Sequence, residues 1–217
     1  MKRLSKFNPV RLGFTTWVWL IDQYSRVRFE RYLLPMVPFP DVLPDAPQAD
    51  WNDTQVTPEQ ARNLLWALHL VDGLAGCVVE IGSWRGVTTS YLAAETTEPV
   101  FGIDPFIGPS NEKNLRVFER RTQSHPNVSL IRKAAGAALK DWKHGHAKFA
   151  FIDGSHNYGN VSHDLEAIQR IMLPGGIITL HDTDNPTYPG CRRAVYEQRD
   201  RFDLVAHVPN LSIFRCR

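Results

Sequence analysis

The sequence predicts an α/β fold: a doubly wound, seven-stranded, mostly parallel sheet closed by an antiparallel C-terminal strand pair. Three observations predict it. From Cys77 onward, short β-branched runs alternate with segments of helical spacing. The first run, Cys77–Ile81, passes into a helix through a turn with glycine at both ends, Gly82-Ser83-Trp84-Arg85-Gly86. The last two runs, Leu204–Val208 and Leu211–Phe214, are joined only by Pro209-Asn210. That link is too short for a parallel crossover.

The chain divides at about residue 50. Residues 1–50 read as a basic, aromatic N-terminal arm with a Pro-rich connector, and residues 51–217 as the main domain. From Met1 to Arg31 there are seven Lys/Arg against Asp22 and Glu30, interleaved with Phe7, Phe14, Trp17, Trp19, Tyr24 and Phe29. Such a segment suits an anionic membrane surface, which makes residues 1–34 a candidate peripheral contact. It equally suits a helical arm that buries its aromatics on the core or on a second subunit, in a homodimer. The charges do not fall cleanly on one helical face, which favours packing. Five prolines between Pro35 and Pro47 then predict an extended connector.

The main domain opens on Thr57-Pro58-Glu59-Gln60, which predicts a helix with Thr57 as N-cap, proline at N1 and Gln60 closing a capping box. Leu64, Leu65, Leu68 and Val71 continue it, and Gly73 is the expected C-cap. Strands follow at Cys77–Ile81, Val100–Ile103, Val128–Ile131, Phe149–Ile152 and Ile177–Leu180. Helices are expected over Val87–Ala94, Asn111–Gln123, Ala135–Trp142, Val161–Met172 and Arg192–Arg201. Pro174-Gly175-Gly176 reads as a tight turn.

Composition narrows the class. The chain has 217 residues, 43% of them hydrophobic and 22% charged, with a net charge of +2. That describes one globular domain with an extension, and no nucleic-acid partner is expected. The three cysteines, Cys77, Cys191 and Cys216, form no paired framework. With no secretory signal and no bilayer-length apolar run, a cytoplasmic location is expected.

Ligands of an open α/β sheet bind beyond the carboxyl ends of its strands. The first strand ends in Glu80 and the glycine turn. The second ends in Asp104-Pro105, where an acid can accept two ribose hydroxyls or simply cap a turn. The third ends in Arg132-Lys133-Ala134-Ala135-Gly136. The fourth ends in Asp153-Gly154-Ser155-His156, the fifth in His181-Asp182-Thr183-Asp184-Asn185. A divalent ion between two strand-end carboxylates can bind an acceptor's oxygens and lower their pKa. Asp153 and Asp182 are the best placed to hold it, with His181 or Asp184 beside them. His156 stands three residues after Asp153, and the ordinary imidazole pKa suits proton transfer near neutral pH.

The acid-x-G-x-x-x-G turn resembles motif I of the class I S-adenosylmethionine (SAM) methyltransferases, and the closing strand pair agrees with their Rossmann-like fold. A dinucleotide-binding oxidoreductase would call for a different glycine spacing. The segments FIDGSHNY and LPGGIITLHDT resemble the subfamily that includes metal-dependent sugar O-methyltransferases of macrolide and aminocoumarin biosynthesis. The resemblance covers Val78 to Thr183 and implies a SAM-dependent O-methyltransferase of a small hydroxylated acceptor, sugar-containing. It places SAM at Glu80, Gly82, Ser83, Trp84, Gly86, Asp104, Pro105 and Asp153. It implies Mg²⁺ or another divalent cation at Asp153, Asp182 and His181, and catalysis by His156 and Asp153. A metal-independent transferase, or a non-catalytic partner at a membrane surface, are the alternatives. The acceptor itself is not legible.

Overall fold

A computed structural model describes residues 9–107 and 111–217. Seven strands form one sheet in the order β3-β2-β1-β4-β5-β7-β6. They are β1 Cys77–Ile81, β2 Val100–Ile103, β3 Val128–Ile131, β4 Ala147–Ile152, β5 Met172–His181, β6 Phe202–Val208 and β7 Leu211–Cys216. β7 runs antiparallel to both β5 and β6, and the other neighbours are parallel. The helices are α1 Pro9–Val27, α2 Pro58–His69, α3 Val87–Ala94, α4 Asn111–Thr122, α5 Ala135–Lys140, α6 Tyr158–Gln169 and α7 Pro189–Gln198.

Alternation along the buried strands sends successive side chains to opposite faces, and both faces are covered. Val79, Ile81, Ala150 and Ile152 pack with Leu139, Leu165, Ile168 and Val195 under α5, α6 and α7. Val78, Phe149, Phe151 and Ile177 pack with Leu64, Leu68, Tyr91 and Leu92 under α2 and α3. The sheet is therefore a rigid central layer, and the ends of β1, β2, β4 and β5 are held in fixed register. α2 has the predicted cap: Thr57 Oγ1 accepts from Gln60 N at 3.2 Å, and Gln60 Oε1 accepts from Thr57 N at 2.9 Å.

Several boundaries differ from expectation. α2 ends at His69 with Leu70 as its cap, so Gly73 is not the C-cap. β4 begins at Ala147, where Lys148 is buried within the strand. β5 begins at Met172 and carries Pro174-Gly175-Gly176 as an excursion inside the strand. Ala147 pairs with Met172, and Phe149 already pairs with Ile177. α6 begins at Tyr158 because the Asn157 side chain accepts from Asn160 N. α7 begins at Pro189, the N1 position that suits proline. At Gly190 a Cβ would stand 2.3 Å from Asp22 Oδ1 and 2.3 Å from Tyr158 N. Only glycine lets α1, α6 and α7 meet that closely.

The arm is helical and docks on α6 and α7. Asp22 Oδ1 accepts from Tyr158 N at 3.3 Å, Ser25 is buried, and the Arg192 guanidinium lies 3.5 Å over the Phe29 ring. The connector then pairs Val37 with His207 at the sheet edge. The arm does not bury its tryptophans on the core as expected: Trp17 is 65% and Trp19 58% exposed. The opposite side of α1 makes the contacts. Lys2, Arg3, Lys6 and Phe7 lie outside the described residues, as do Gly108 and Pro109 in the loop after Phe106. No described helix is long and apolar enough to cross a membrane.

Candidate active site

The glycine turn is wedged between two neighbouring strand ends. Gly82 N donates to Ile103 O at 2.8 Å, and Asp153 N donates to Ile81 O at 2.9 Å. Gly82 sits at φ +94°, and a Cβ there would lie 2.1 Å from Asp153 O. Trp84 also has positive φ, 40°. Its N–H donates to Asp104 Oδ2 at 2.9 Å, while Asp104 Oδ1 accepts from Phe106 N at 2.8 Å. Asp104 thus ties the turn to the end of β2 as a turn-capping carboxylate. Each of its oxygens keeps a further lone pair for a ligand hydroxyl. Glu80 is buried behind the turn and accepts from the Thr89 hydroxyl. Burial pushes its carboxyl up to about 8, so at neutral pH it favours the protonated form until a cationic group arrives.

The ends of β4 and β5 bring two carboxylates and two imidazoles together. His156 Nε2 is 3.3 Å from Asp153 Oδ1 and 3.0 Å from Asp182 Oδ2. His181 Nδ1 is 3.4 Å from those same two oxygens. Asp182 sits at φ 56°, an uncommon backbone region for a non-glycine residue. Its main chain is held by Asn210 O at 2.9 Å, and its Oδ1 accepts from Asn185 Nδ2 at 2.9 Å. Tyr188 stacks on His156 with ring centroids 4.4 Å apart. Burial disfavours both imidazolium ions, but the adjacent Asp153 and Asp182 carboxylates outweigh it. His156 is pushed up to about 9 and His181 up to about 10. Burial works against the carboxylates too, yet the two histidines hold Asp153 and Asp182 below the usual range.

Asp153, His181 and Asp182 each offer one ligand atom, and these atoms all lie within 4.8 Å of one another. Asp184 does not join them. Arg192 Nη2 binds its Oδ1 at 2.9 Å, and His207 Nε2 binds its Oδ2 at 3.1 Å. His207 is buried and continues to Ser212 Oγ and Thr183 Oγ1. Asp184 therefore belongs to a structural network between α7 and β6.

One cavity of about 1270 Å³ joins the glycine turn and Asp104 to the carboxylate–imidazole cluster. That exceeds the volume of a typical single-ligand pocket and leaves room for two reactants side by side. Gly82, Ser83, Trp84 and Pro105 line it, and Gly86 lies outside the lining. Gly86 is instead the left-handed N-cap of α3, at φ 74°.

Two wall residues, Gln60 and Asp164, were not assigned a site role from sequence, and Tyr188 lies in the 184–191 segment that leaves the end of β5. Gln60 of α2 reaches His181, with Nε2 3.2 Å from Oε1. Tyr188 covers His156. Asp164 lines the cavity with Ala134–Ala137. Burial outweighs the nearby His163 and pushes its carboxyl up to about 6. A carboxyl whose folded pKa exceeds its unfolded value of 3.8 binds more protons in the native state, so stability falls as pH rises from about 4 to 6. Asp164→Asn removes that penalty, worth up to about 3 kcal/mol at 1.36 kcal/mol per pKa unit. The variant is expected to raise Tm clearly at pH 8 and little at pH 4, measured by thermal melts at both.

Comparison with known proteins places this geometry. Residues 79–183 match the family Methyltransf_24, described as a methyltransferase domain. No curated protein matches the sequence. Among solved structures, the chain is similar to CalS11, a TDP-rhamnose 3'-O-methyltransferase of calicheamicin biosynthesis. Identity is 20% and the TM-score 0.57, over 74% of this chain and 81% of that one. NovP, an O-methyltransferase, is 17% identical with a TM-score of 0.63, over 76% and 82% of the two chains. An O-methyltransferase from Bacillus cereus in complex with SAH is 20% identical with a TM-score of 0.60, over 76% and 85%. At these identities the likeness is one of fold.

Proposed function

We propose that this chain, whose residues 79–183 match a methyltransferase domain, transfers a methyl group from SAM to a hydroxyl of a small, sugar-containing acceptor, assisted by a divalent cation. The observation that carries this reading is the single cavity with the glycine turn and Asp104 in one part of its wall and the Asp153–Asp182 pair in another. The relatives that match in fold include one whose name records a nucleotide sugar as acceptor.

The residues divide the work as follows. The backbone of Gly82–Trp84 lies against the donor, and the free lone pairs of Asp104 accept its ribose hydroxyls. Glu80, held largely protonated by burial, ionises when the donor's ammonium group comes near. The fit to a cation rests on His181: its Nδ1 is buried, has no hydrogen-bond partner, and faces the two carboxylates. Asp153, Asp182 and His181 would hold the cation, which supplies polarisation of the acceptor's oxygens and offsets the two carboxylate charges. His156 lies 3.0 Å from Asp182 and holds its own proton tightly while those charges are uncompensated. Once His156 has released that proton to solvent, its Nε2 takes the acceptor's proton as the oxygen attacks the methyl carbon and the carbon–sulfur bond breaks. Tyr188 stacked on His156 fixes the ring plane and excludes water.

The test is transfer of a labelled methyl group from SAM to a panel of TDP-sugars, with product mapping by mass spectrometry. Label on a sugar hydroxyl is the expected result. Label on amines, protein or RNA, with none on sugars, would overturn the acceptor class.

A further inference from the structure

We propose that the Asp153–His181–Asp182 centre selects a first-row transition ion such as Co²⁺ or Ni²⁺ over Mg²⁺, with Gln60 as the positioning residue that aims the His181 nitrogen at the ion. The proposal rests on the metal reading above and deepens it by naming the class of ion and the residue that sets it.

The argument starts at the α2 cap. Thr57 N is a backbone donor, and it donates to Gln60 Oε1 at 2.9 Å. The amide oxygen of Gln60 is thereby fixed in place, since its NH₂ group could not accept that bond. His181 Nε2 stands 3.2 Å from the same oxygen. Facing an acceptor, Nε2 carries the hydrogen. The lone pair of neutral His181 therefore belongs to Nδ1, the atom 3.4 Å from both Asp153 Oδ1 and Asp182 Oδ2. Nδ1 is buried and without a hydrogen-bond partner, and the His181 side chain is only 5% exposed. This is the arrangement by which proteins orient a metal-bound imidazole: the outer nitrogen is pinned by an oxygen acceptor and the inner one points at the metal.

The donor set then decides the ion. Mg²⁺ favours all-oxygen surroundings, and an imidazole nitrogen lowers its standing against Co²⁺, Ni²⁺ and Zn²⁺. Asp184, the nearby oxygen donor that would have kept the site hard, is committed to Arg192 and His207. The remaining histidine of the cluster, His156, is the base beside the same carboxylates and stays outside this donor set. Nothing in sequence proximity suggests the Gln60 contact, because the partners are 121 residues apart.

The experiment uses the full chain, freed of metal by chelation and dialysis, and titrates it with Co²⁺, Ni²⁺ and Mg²⁺ separately by isothermal calorimetry. Electronic absorption of the Co²⁺ form and nitrogen hyperfine coupling in the Mn²⁺ form are read in parallel. Expected are Co²⁺ and Ni²⁺ affinities at least about tenfold above Mg²⁺, together with a directly coordinated nitrogen signal. His181→Asp is expected to erase that signal and bring Mg²⁺ level with Co²⁺. Gln60→Leu is expected to weaken Co²⁺ binding by about 10- to 100-fold, with Gln60→Glu, which keeps an acceptor oxygen, recovering most of it. Circular dichroism melts separate that loss from the loss of the α2 cap. Equal Co²⁺ and Mg²⁺ affinities, or an unchanged nitrogen signal in His181→Asp, would overturn the selectivity. Binding of none of the three ions would instead remove the metal from the proposed function while leaving methyl transfer standing.

Discussion

Asp182→Ala is expected to lower the methyl-transfer rate by about 1000-fold or more while SAM affinity changes little. The Asp182 carboxylate is the closest counter-charge to His156, at 3.0 Å, and also stands 3.4 Å from His181 Nδ1. Removing it takes away one of the two carboxylates proposed to hold the cation and loosens both imidazoles. Loss of a single preorganised electrostatic group at a reacting centre commonly costs about 100- to 1000-fold, and loss of metal assistance adds to that. The glycine turn and Asp104, proposed to face the donor, do not touch this carboxylate. Initial rates at saturating SAM, set beside calorimetric SAM binding, check both halves. Asp182→Asn keeps the side-chain volume and is expected to fail almost as badly. A variant retaining most of its rate would show that the charge is not needed.

Gly82→Ala is expected to have the largest structural effect. The residue is at φ +94°, and the added Cβ would stand 2.1 Å from Asp153 O and 2.7 Å from Gly154 Cα. Both obstacles are backbone, so relief requires the ends of β1 and β4 to move apart. A left-handed non-glycine residue costs about 1–2 kcal/mol, and overpacking about 1–3 kcal/mol more. A total near 3 kcal/mol or above corresponds to a Tm drop of roughly 6–12 °C in a domain of this size. SAM binding should fall with it, because Asp153 and the turn form one wall. Gly86→Ala is the comparison. It also has positive φ, but its nearest neighbour is the Phe118 side chain, which can yield, so the loss should be smaller. Thermal melts of the two variants check the order.

Where apolar runs are short and sharply bounded, the sequence reading and the structure agree. β1, β2, β3 and α3 have the boundaries that β-branched runs and flanking glycines imply. The Thr57–Gln60 capping box is present because its signal is local. The disagreements are also physical. Lys148 interrupts the apolar run of β4 but is buried within the strand, so the strand starts earlier than its pattern suggests. Pro174-Gly175-Gly176 reads as a boundary, yet pairing resumes on both sides of it within β5. The exposed Trp17 and Trp19 show that a helix can dock through Asp22, Ser25 and neighbouring residues while its aromatics face outward.

The site was legible in its parts and not in its couplings. Strand-end logic alone brings Asp153, His181 and Asp182 together. It does not separate Asp182 from Asp184, because Arg192 and His207, which claim Asp184, come from later elements. Nor does it show that His156, with an ordinary imidazole value in the unfolded chain, is pushed up to about 9 by two carboxylates that folding sets beside it. Gln60 reads as a helix cap and is one, and its second partner, His181, becomes visible only in the folded chain.

The central claim is that the cavity beside Gly82 and Asp104 takes SAM. Isothermal titration of the full chain with SAM and, separately, with NAD⁺ tests it most directly, since both carry a ribose that Asp104 could accept. Saturable binding of SAM, weakened by Asp104→Ala, with no heat from NAD⁺, is the predicted result. Binding of NAD⁺ and none of SAM would contradict it.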